Sequence, residues 1–419
     1  VSATLTRLPN GLGVLTDPMP GLATAAVGVW VKVGTRWEQA HENGIAHFLE
    51  HLVFKGAGGR DARGFAEAAE ARGIYVNAAT GYERTTYHAR ALAEDAGFAL
   101  DLAADLLRAP KLDPTDLAVE RGVVMQEIAE AADDPEDRTE CLHQEACFPD
   151  QPLGRPILGV EDTLARLTSD DARAFLSRAL TADRVLVGAA GAINVEAIIE
   201  VAQRRFGDLP SGTGVERPQM ANPASAARSE RKATEQVHLI FSGAAPAAGA
   251  EGAIAARVAA EVLGGGMASR LFQDLRETRG LAYSIESWVD GFEDAGRLSI
   301  SAGCAAKDAG EIAKRVGEHL ERLGQFGPED AELSRAKRIL KAGLLMGAEG
   351  PAARCEMAVS QTWLMGGPLT LEQLSDRIDA VDAASVREAA RVAAMPGARC
   401  AAAVGPAKGL AAARLFVEG

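Results

Sequence analysis

The sequence lacks any apolar run approaching the roughly 18 residues that a membrane-crossing helix needs, which excludes a helical span as a reading of the chain. Cysteine is sparse: Cys141, Cys147, Cys304, Cys355 and Cys400 are five, an odd number, scattered and without a Cys-x-x-Cys pair. That pattern excludes a disulfide frame and a zinc knuckle, and it reads as packed thiols in a reducing compartment. Positive charge is in deficit, with 44 Lys and Arg against 58 Asp and Glu and a formal net charge of -14. Such a balance argues against nucleic acid as a partner and suits either attraction of basic ligands or plain solubility. The chain opens at Val1 on a polar, strand-like segment and not on a signal peptide.

What is present begins with size: 419 residues, 47% of them hydrophobic, exceed what one core usually holds, so two domains are expected. An internal echo supports this. Residues 167–173 followed by 184–191 are matched by 381–387 followed by 399–405, each pair a capped helix and then a short apolar strand ending in Gly. The alternating strand 26–33 is matched by 235–241. A stretch rich in Pro, Gly, Ser and Ala from about 208 to 228 reads as a linker, giving domains at 1–210 and 231–419 joined by 211–230. Helical patterns at 63–72, 93–107 and 114–132 alternate with strands near 23–33, 74–80 and 84–91, and Pro9-Asn10-Gly11 is a hairpin turn. The class is α+β: two tandem homologous domains, each a mostly antiparallel sheet backed by helices.

Only 7 histidines occur, and two of them stand in His47-Phe48-Leu49-Glu50-His51. On a helix, positions i, i+3 and i+4 share a face, so two imidazoles and one carboxylate converge. Two neutral imidazoles can hold zinc, and a carboxylate that does not ligate it is free to take a proton from an attacking water. The order His-x-x-Glu-His is the inverzincin signature. A catalytic zinc usually takes a third protein ligand. Asp113 as N-cap, Pro114 at the first helical position and Asp116 as the third-position acid predict a helix running onward, on which Glu120 and Glu127 share a face. Either can ligate, with the other orienting an imidazole.

These residues carry a resemblance. The order His47, Glu50, His51 and then a Glu 76 residues later resembles the pitrilysin family of inverzincin metallopeptidases, and the likeness continues through Phe54-Lys55-Gly56 and residues 73–78 and 152–159. It looks most like the branch holding the mitochondrial processing peptidase and its bacterial relatives. The resemblance implies that Glu127 is the third zinc ligand and that Glu120 supports it. Further on, residues 263–272 leading into 275–283 look like the family's second-domain signature. It implies that Arg276 and Tyr283 touch the substrate carbonyl as charge develops there. The second half has no His-x-x-Glu-His at the matching place, where residues 254–261 read as a plain helix, so one Zn2+ per chain is expected.

For the substrate, the strand 75–80 matches a family strand at a sheet edge to which an extended peptide adds, which implicates Asn77, Ala78 and Ala79. The run Glu130, Asp133, Asp134, Glu136, Asp137 and Glu140 either faces the cleft and favours basic residues upstream of the cut, with Asp137 as a contact, or lies on a solvated loop. The leading expectation is a zinc endopeptidase acting on extended basic peptides or presequences. Glu50 would be its general base, and a homodimer would complete each active site across the interface. The resemblance places it in a bacterial cytoplasm or a mitochondrial matrix. The alternatives are a non-catalytic scaffold or assembly subunit of the same fold, or a zinc hydrolase of a non-peptide substrate.

Overall fold

Short runs of Val, Ala, Gly and Thr, bounded by turn residues, form the strands of two sheets in the computed structural model, which describes residues 3–212 and 217–419. The first sheet contains β1 (Thr4–Arg7), β2 (Gly13–Pro18), β3 (Thr24–Val31), β4 (Tyr75–Thr80), β5 (Thr85–Leu92) and β6 (Val185–Gly191), in the order β1-β2-β6-β3-β5-β4. The second contains β7 (Ala226–Arg231), β8 (Val237–Ala245), β9 (Ala282–Gly291), β10 (Gly296–Cys304) and β11 (Cys400–Gly405), in the order β9-β10-β8-β11-β7. Dropping β1 makes the two orders the same: first strand, last, second, fourth, third. Each sheet is antiparallel except for one parallel pair, β2 with β6 and β7 with β11. The expected pair of tandem homologous α+β domains is therefore borne out, down to the mixed register at the same position in both.

The helices that matter here are α1 (Ile45–Val53), α2 (Pro114–Asp133), α3 (Pro135–Cys147), α4 (Ser169–Ala179), α5 (Ala253–Gly264), α6 (Pro351–Met365) and α7 (Ala383–Ala393). α4 and α7, the capped helices of the internal echo, begin with Thr168 and Asp382 in reciprocal capping boxes. The hairpin read at Pro9-Asn10-Gly11 joins β1 to β2, with Thr6 opposite Val14.

Two compact units result, and neither is contiguous in sequence. One comprises residues 1–128, 155–218 and 345–371; the other comprises 129–154, 219–344 and 372–419. The domains read from sequence, 1–210 and 231–419, differ from this division because each sheet has a second apolar face. In the first unit Val27, Val29 and Val31 of β3 face a core with α1, while Ala26 and Trp30, one residue out of phase, face α6 through Cys355, Ala358 and Val359. In the second unit Leu142 of α3 packs on Ala402 and Val404 of β11. Each sheet is thus closed by a helix from the opposite half of the sequence. Part of the expected linker, residues 213–216, lies outside the described residues, as does the start of the chain at Val1.

Polar contacts fix α6 in place. Arg354 donates from Nε and Nη2 to the buried carboxylate of Asp17, at 2.6 and 2.8 Å, and Trp30 Nε1 donates to Glu356 at 2.8 Å. Because Asp17 is 3% exposed, Arg354→Ala leaves an uncompensated buried charge and is expected to lower unfolding free energy by about 3 kcal/mol in urea melts. The double variant Asp17→Leu with Arg354→Met is expected to recover most of that loss. Equal loss in single and double variants would show that the pair does not carry the docking.

Candidate metal centre

α1 is nine residues long and two-faced. Ile45, Phe48, Leu49 and Leu52, at i, i+3, i+4 and i+7, are buried in the core of the first unit, which turns His47, Glu50 and His51 toward a partly open face. α2 lies against that face. Its Leu117 and Val124 are buried, and Glu120 and Glu127, seven apart, follow the same side. The structure brings His47, His51 and Glu127 together with one donor atom from each, all within 4.8 Å of one another. His51 Nε2 is 3.4 Å and His47 Nε2 is 3.7 Å from the same oxygen, Oε2 of Glu127.

These separations suit a zinc ion. Bonds of about 2.0–2.2 Å at tetrahedral angles put neighbouring donors roughly 3.4 Å apart, and two imidazoles with one carboxylate are a known catalytic ligand set that leaves a position open. The rest of the arrangement agrees. Burial, reinforced by the neighbouring His51, lowers His47 to about 4, so its lone pair is available at neutral pH. His51 Nδ1 lies 3.3 Å from Oε2 of Glu120, whose other oxygen takes a 2.6 Å contact from Lys55 Nζ. A carboxylate behind an imidazole fixes the ring so that Nε2 points at the cluster. Two polar atoms here are buried without any partner, Nδ1 of His47 and Oε2 of Glu50. The phenol of Tyr87 in β5 is pushed up, first by burial and then by the charge of Glu50.

Glu38 holds the start of α1. Gly44, the residue before the helix, has φ 95° and offers no side-chain cap. The free N–H groups are met instead by the buried carboxylate of Glu38: Oε1 accepts from Ala46 N at 2.9 Å, and Oε2 from Gly44 N and from Asn43 Nδ2, each at 2.9 Å. The segment after Gly154 closes over this turn. Arg155 Nη2 donates to Glu38 O, and Asn43 Nδ2 also reaches Pro156 O. Gly44 and Gly159 face each other so closely that a Cβ on Gly44 would lie 2.7 Å from the Gly159 Cα, which accounts for glycine at both positions.

The other expected site residues fall elsewhere. Asn77, Ala78 and Ala79 lie on β4, the edge strand of the first sheet, with Asn77 and Ala79 exposed and Ala78 buried. β4 runs beside α1, where Thr80 Oγ1 reaches Ala46 O at 3.5 Å. Arg276 and Tyr283 belong to the second unit. Arg276 sits in a π-helical turn, Phe272–Thr278, over the Phe272 ring, and Tyr283 is 61% exposed near the start of β9, beside a register shift. The acidic run is helical and not a loop: it spans the end of α2 and the start of α3, with Asp134 as the cap that accepts from Glu136 N and Asp137 N. Its members Asp133 and Glu136 lie near Lys232 and His238, while the Asp137 N–H donates to the Asp134 carboxylate.

Sequence reasoning did not single out Glu38, Lys55 or Tyr87 for this site. Lys55 had a signal, since it stands four residues after His51, in the turn that follows α1. Glu38 had none, because its contacts close through a turn and not through a periodic element.

Comparison with known proteins places this geometry. The family description "Insulinase (Peptidase family M16)" matches residues 14–161, and "Peptidase M16 inactive domain" matches residues 166–340. The chain is similar to uncharacterized zinc proteases of Mycobacterium tuberculosis, at 36% identity over 92% of this chain and 89% of the relative, and of Bacillus subtilis, at 35% over 91% and 93%. A solved protease from Helicobacter pylori superposes with a TM-score of 0.88 at 21% identity, covering 97% of this chain and 99% of that one.

The Glu38 anchor is testable by pH. Burial raises its carboxyl from 4.5 to about 7 against the pull of three donors. Between these values the folded chain holds a proton that the unfolded chain has released, so this group's stabilisation is full below about 4.5 and is lost as pH rises through about 7, on the order of 3 kcal/mol in all. Glu38→Gln removes that slope, and its amide faces donors with donors, which is expected to cost about 1–3 kcal/mol at pH 5. Urea melts of both proteins from pH 4.5 to 8 check this. Parallel pH profiles would remove Glu38 as the titrating group.

Proposed function

The chain belongs to the M16, or insulinase, family of peptidases and is a zinc metallopeptidase; within that assignment we propose that His47, His51 and Glu127 hold one zinc ion and that Glu50 is the general base of an endopeptidase. Zinc, when bound, supplies a Lewis acid that polarises oxygen and makes water more acidic. The remaining work falls to side chains. Glu50 accepts the proton of the attacking water and can return it to the leaving amine, so one carboxylate serves both halves of the reaction. The observation that supports this role is its buried Oε2, left without a partner among the described residues on the face of α1 that carries His47 and His51. Glu120 and Lys55 hold the ring of His51, and Arg276 and Tyr283 are assigned to the developing oxyanion.

The substrate is read as an extended peptide. β4 has an unpaired edge next to α1, so main-chain pairing along Asn77 to Ala79 would supply affinity without regard to sequence. A preference for basic residues rests on Glu140. Burial pushes its carboxyl up, and the like charges of Asp137, Asp290 and Glu136 push further, a repulsion that a bound Arg or Lys would relieve. Asp137 is an exposed member of that group, as are Glu136 and Glu140. We further read the working form as a homodimer in which Arg276 and Tyr283 of one chain serve the zinc site of the other, in a bacterial cytoplasm. No helix among the described residues is long and apolar enough to cross a membrane.

Metal analysis and turnover separate these roles. Glu50→Gln is expected to keep one zinc per chain and to lose roughly 100-fold or more of the activity, on the order of a missing general base. Glu127→Gln is expected to lose the metal. Zinc loss in the first variant, or full occupancy with activity in the second, would reverse the two assignments, and wild-type turnover by Glu50→Gln would end the mechanism. For specificity, Asp137→Asn with Glu140→Gln should raise KM for Arg-containing peptides more than for neutral ones, with salt blunting the difference. Subunit exchange tests the dimer: Glu50→Gln chains mixed with Arg276→Ala, Tyr283→Phe chains should regain activity if the site is shared, and stay inactive if it is not.

A further inference from the structure

The second unit contains another cluster of metal-ligating side chains, away from the zinc ligands and used by no step above. His143 and Cys147, four apart on the last turns of α3, and Cys400, the first residue of β11, bring one nitrogen and two sulfurs within 4.8 Å of one another. All three residues are buried, Cys147 and Cys400 completely. His143 Nε2 is 3.3 Å from Cys147 Sγ and 2.7 Å from Ser242 Oγ.

Hydrogen bonding fixes which nitrogen of His143 lacks a proton. Ser242 Oγ accepts from Arg297 Nε and Nη2, at 2.9 and 2.7 Å, so its single hydrogen points to His143 Nε2. That nitrogen is therefore the unprotonated one, and an ion in the cluster would replace the Ser242 hydrogen at its lone pair. Metal bonds of about 2.3 Å to sulfur and about 2.0 Å to nitrogen set donor separations of roughly 3.5–4 Å, which the observed spacings bracket. Two thiols with an imidazole select a thiophilic ion.

Charge narrows the choice. Arg297 is 1% exposed, has no carboxylate within 4 Å among the described residues, and its Nη1 is buried without a partner. Asp290 acts on it only through its field, and burial raises that carboxyl. A divalent ion would cancel two thiolates and leave Arg297 uncompensated. A univalent ion leaves one negative charge facing it, the arrangement a buried cation requires. We propose that His143, Cys147 and Cys400 form a second metal site that takes one copper(I), or another univalent thiophilic ion, with release of both thiol protons, independently of the zinc site. The ion would tie the end of α3 to the start of β11.

The test is anaerobic titration with copper(I) against the chromophoric chelator bathocuproine disulfonate. All proteins carry Cys141→Ser, because Cys141 is the partly exposed thiol. The parent is expected to withhold one more equivalent of copper(I) from the chelator than Cys147→Ala, Cys400→Ala does, and Glu127→Gln is expected to withhold as much as the parent. Equal uptake by parent and double variant overturns the site, and loss of uptake in Glu127→Gln overturns its independence. Should the double variant misfold, X-ray absorption of the copper-loaded parent decides: two sulfurs and one nitrogen support the site, and a shell of only nitrogen and oxygen sinks it. Zinc(II) held at sulfur in competition with copper(I) overturns the univalent assignment. None of these readouts depends on peptidase activity.

Discussion

The convergence of α1 and α2 on one carboxylate oxygen is the constraint on which the rest of the first unit depends. His47 and His51 sit on one helix and Glu127 on another, yet the two imidazole nitrogens must reach Oε2 of Glu127 within 3.7 Å. A shift of one residue along either helix would turn the donors away by about 100°. Each helix is therefore pinned at a point that prevents sliding. α1 is held at its first turn by the Glu38 carboxylate and by the Gly44 and Gly159 backbones in contact. α2 is held in mid-course by Arg121, which donates to Leu164 O at 3.0 Å and Leu167 O at 2.7 Å. The helix anchors are residues other than His47, His51 and Glu127, so these three need not contribute to stability.

The two units differ at the place where the first carries His47, Glu50 and His51. α1 and α5 occupy corresponding places after the second strand, and both begin behind a glycine of positive φ, Gly44 at 95° and Gly252 at 86°. Beyond that glycine the two helices diverge. α5 is Ala and Val rich, and nine of its twelve residues are buried, which leaves no open polar face for ligands. The second unit keeps the sheet and presents Tyr283 on β9, the strand that corresponds to β4.

Much of this was legible in the sequence because it rests on local rules. The helix read at 114–132 from Asp113, Pro114 and Asp116 is Pro114–Asp133, and strands read near 74–80 and 84–91 are Tyr75–Thr80 and Thr85–Leu92. The grouping of His47, Glu50 and His51 was legible because i, i+3, i+4 spacing is a helical property, and the family resemblance brought in Glu127. What stayed hidden depends on contacts distant in sequence. Nothing local says that α6 belongs to the first sheet, since its polar anchors lie more than 300 residues away, at Asp17 and Trp30. The choice between Glu120 and Glu127 was likewise open on spacing alone, because both lie on one face of α2.

The exchange of helices also bears on how charge is used. The acidic run is one block in the sequence, with a single arginine to relieve it. Folding divides it. Asp134 caps α3, Asp133 approaches Lys232 and Glu136 approaches His238, and Arg138 leaves its acidic neighbours for Glu230, which it reaches at 2.6 Å. The one arginine of the block is therefore committed elsewhere. Asp137 and Glu140 are left with like-charged neighbours, and the carboxyl of Glu140, already raised by burial, is pushed up further by them. A protein with a net charge of -14 has many acids to spare, but few are placed where burial and repulsion act together. Repulsion that the fold leaves unrelieved is a better guide to a cation-binding surface than acidic composition, because only such groups gain when a cation arrives.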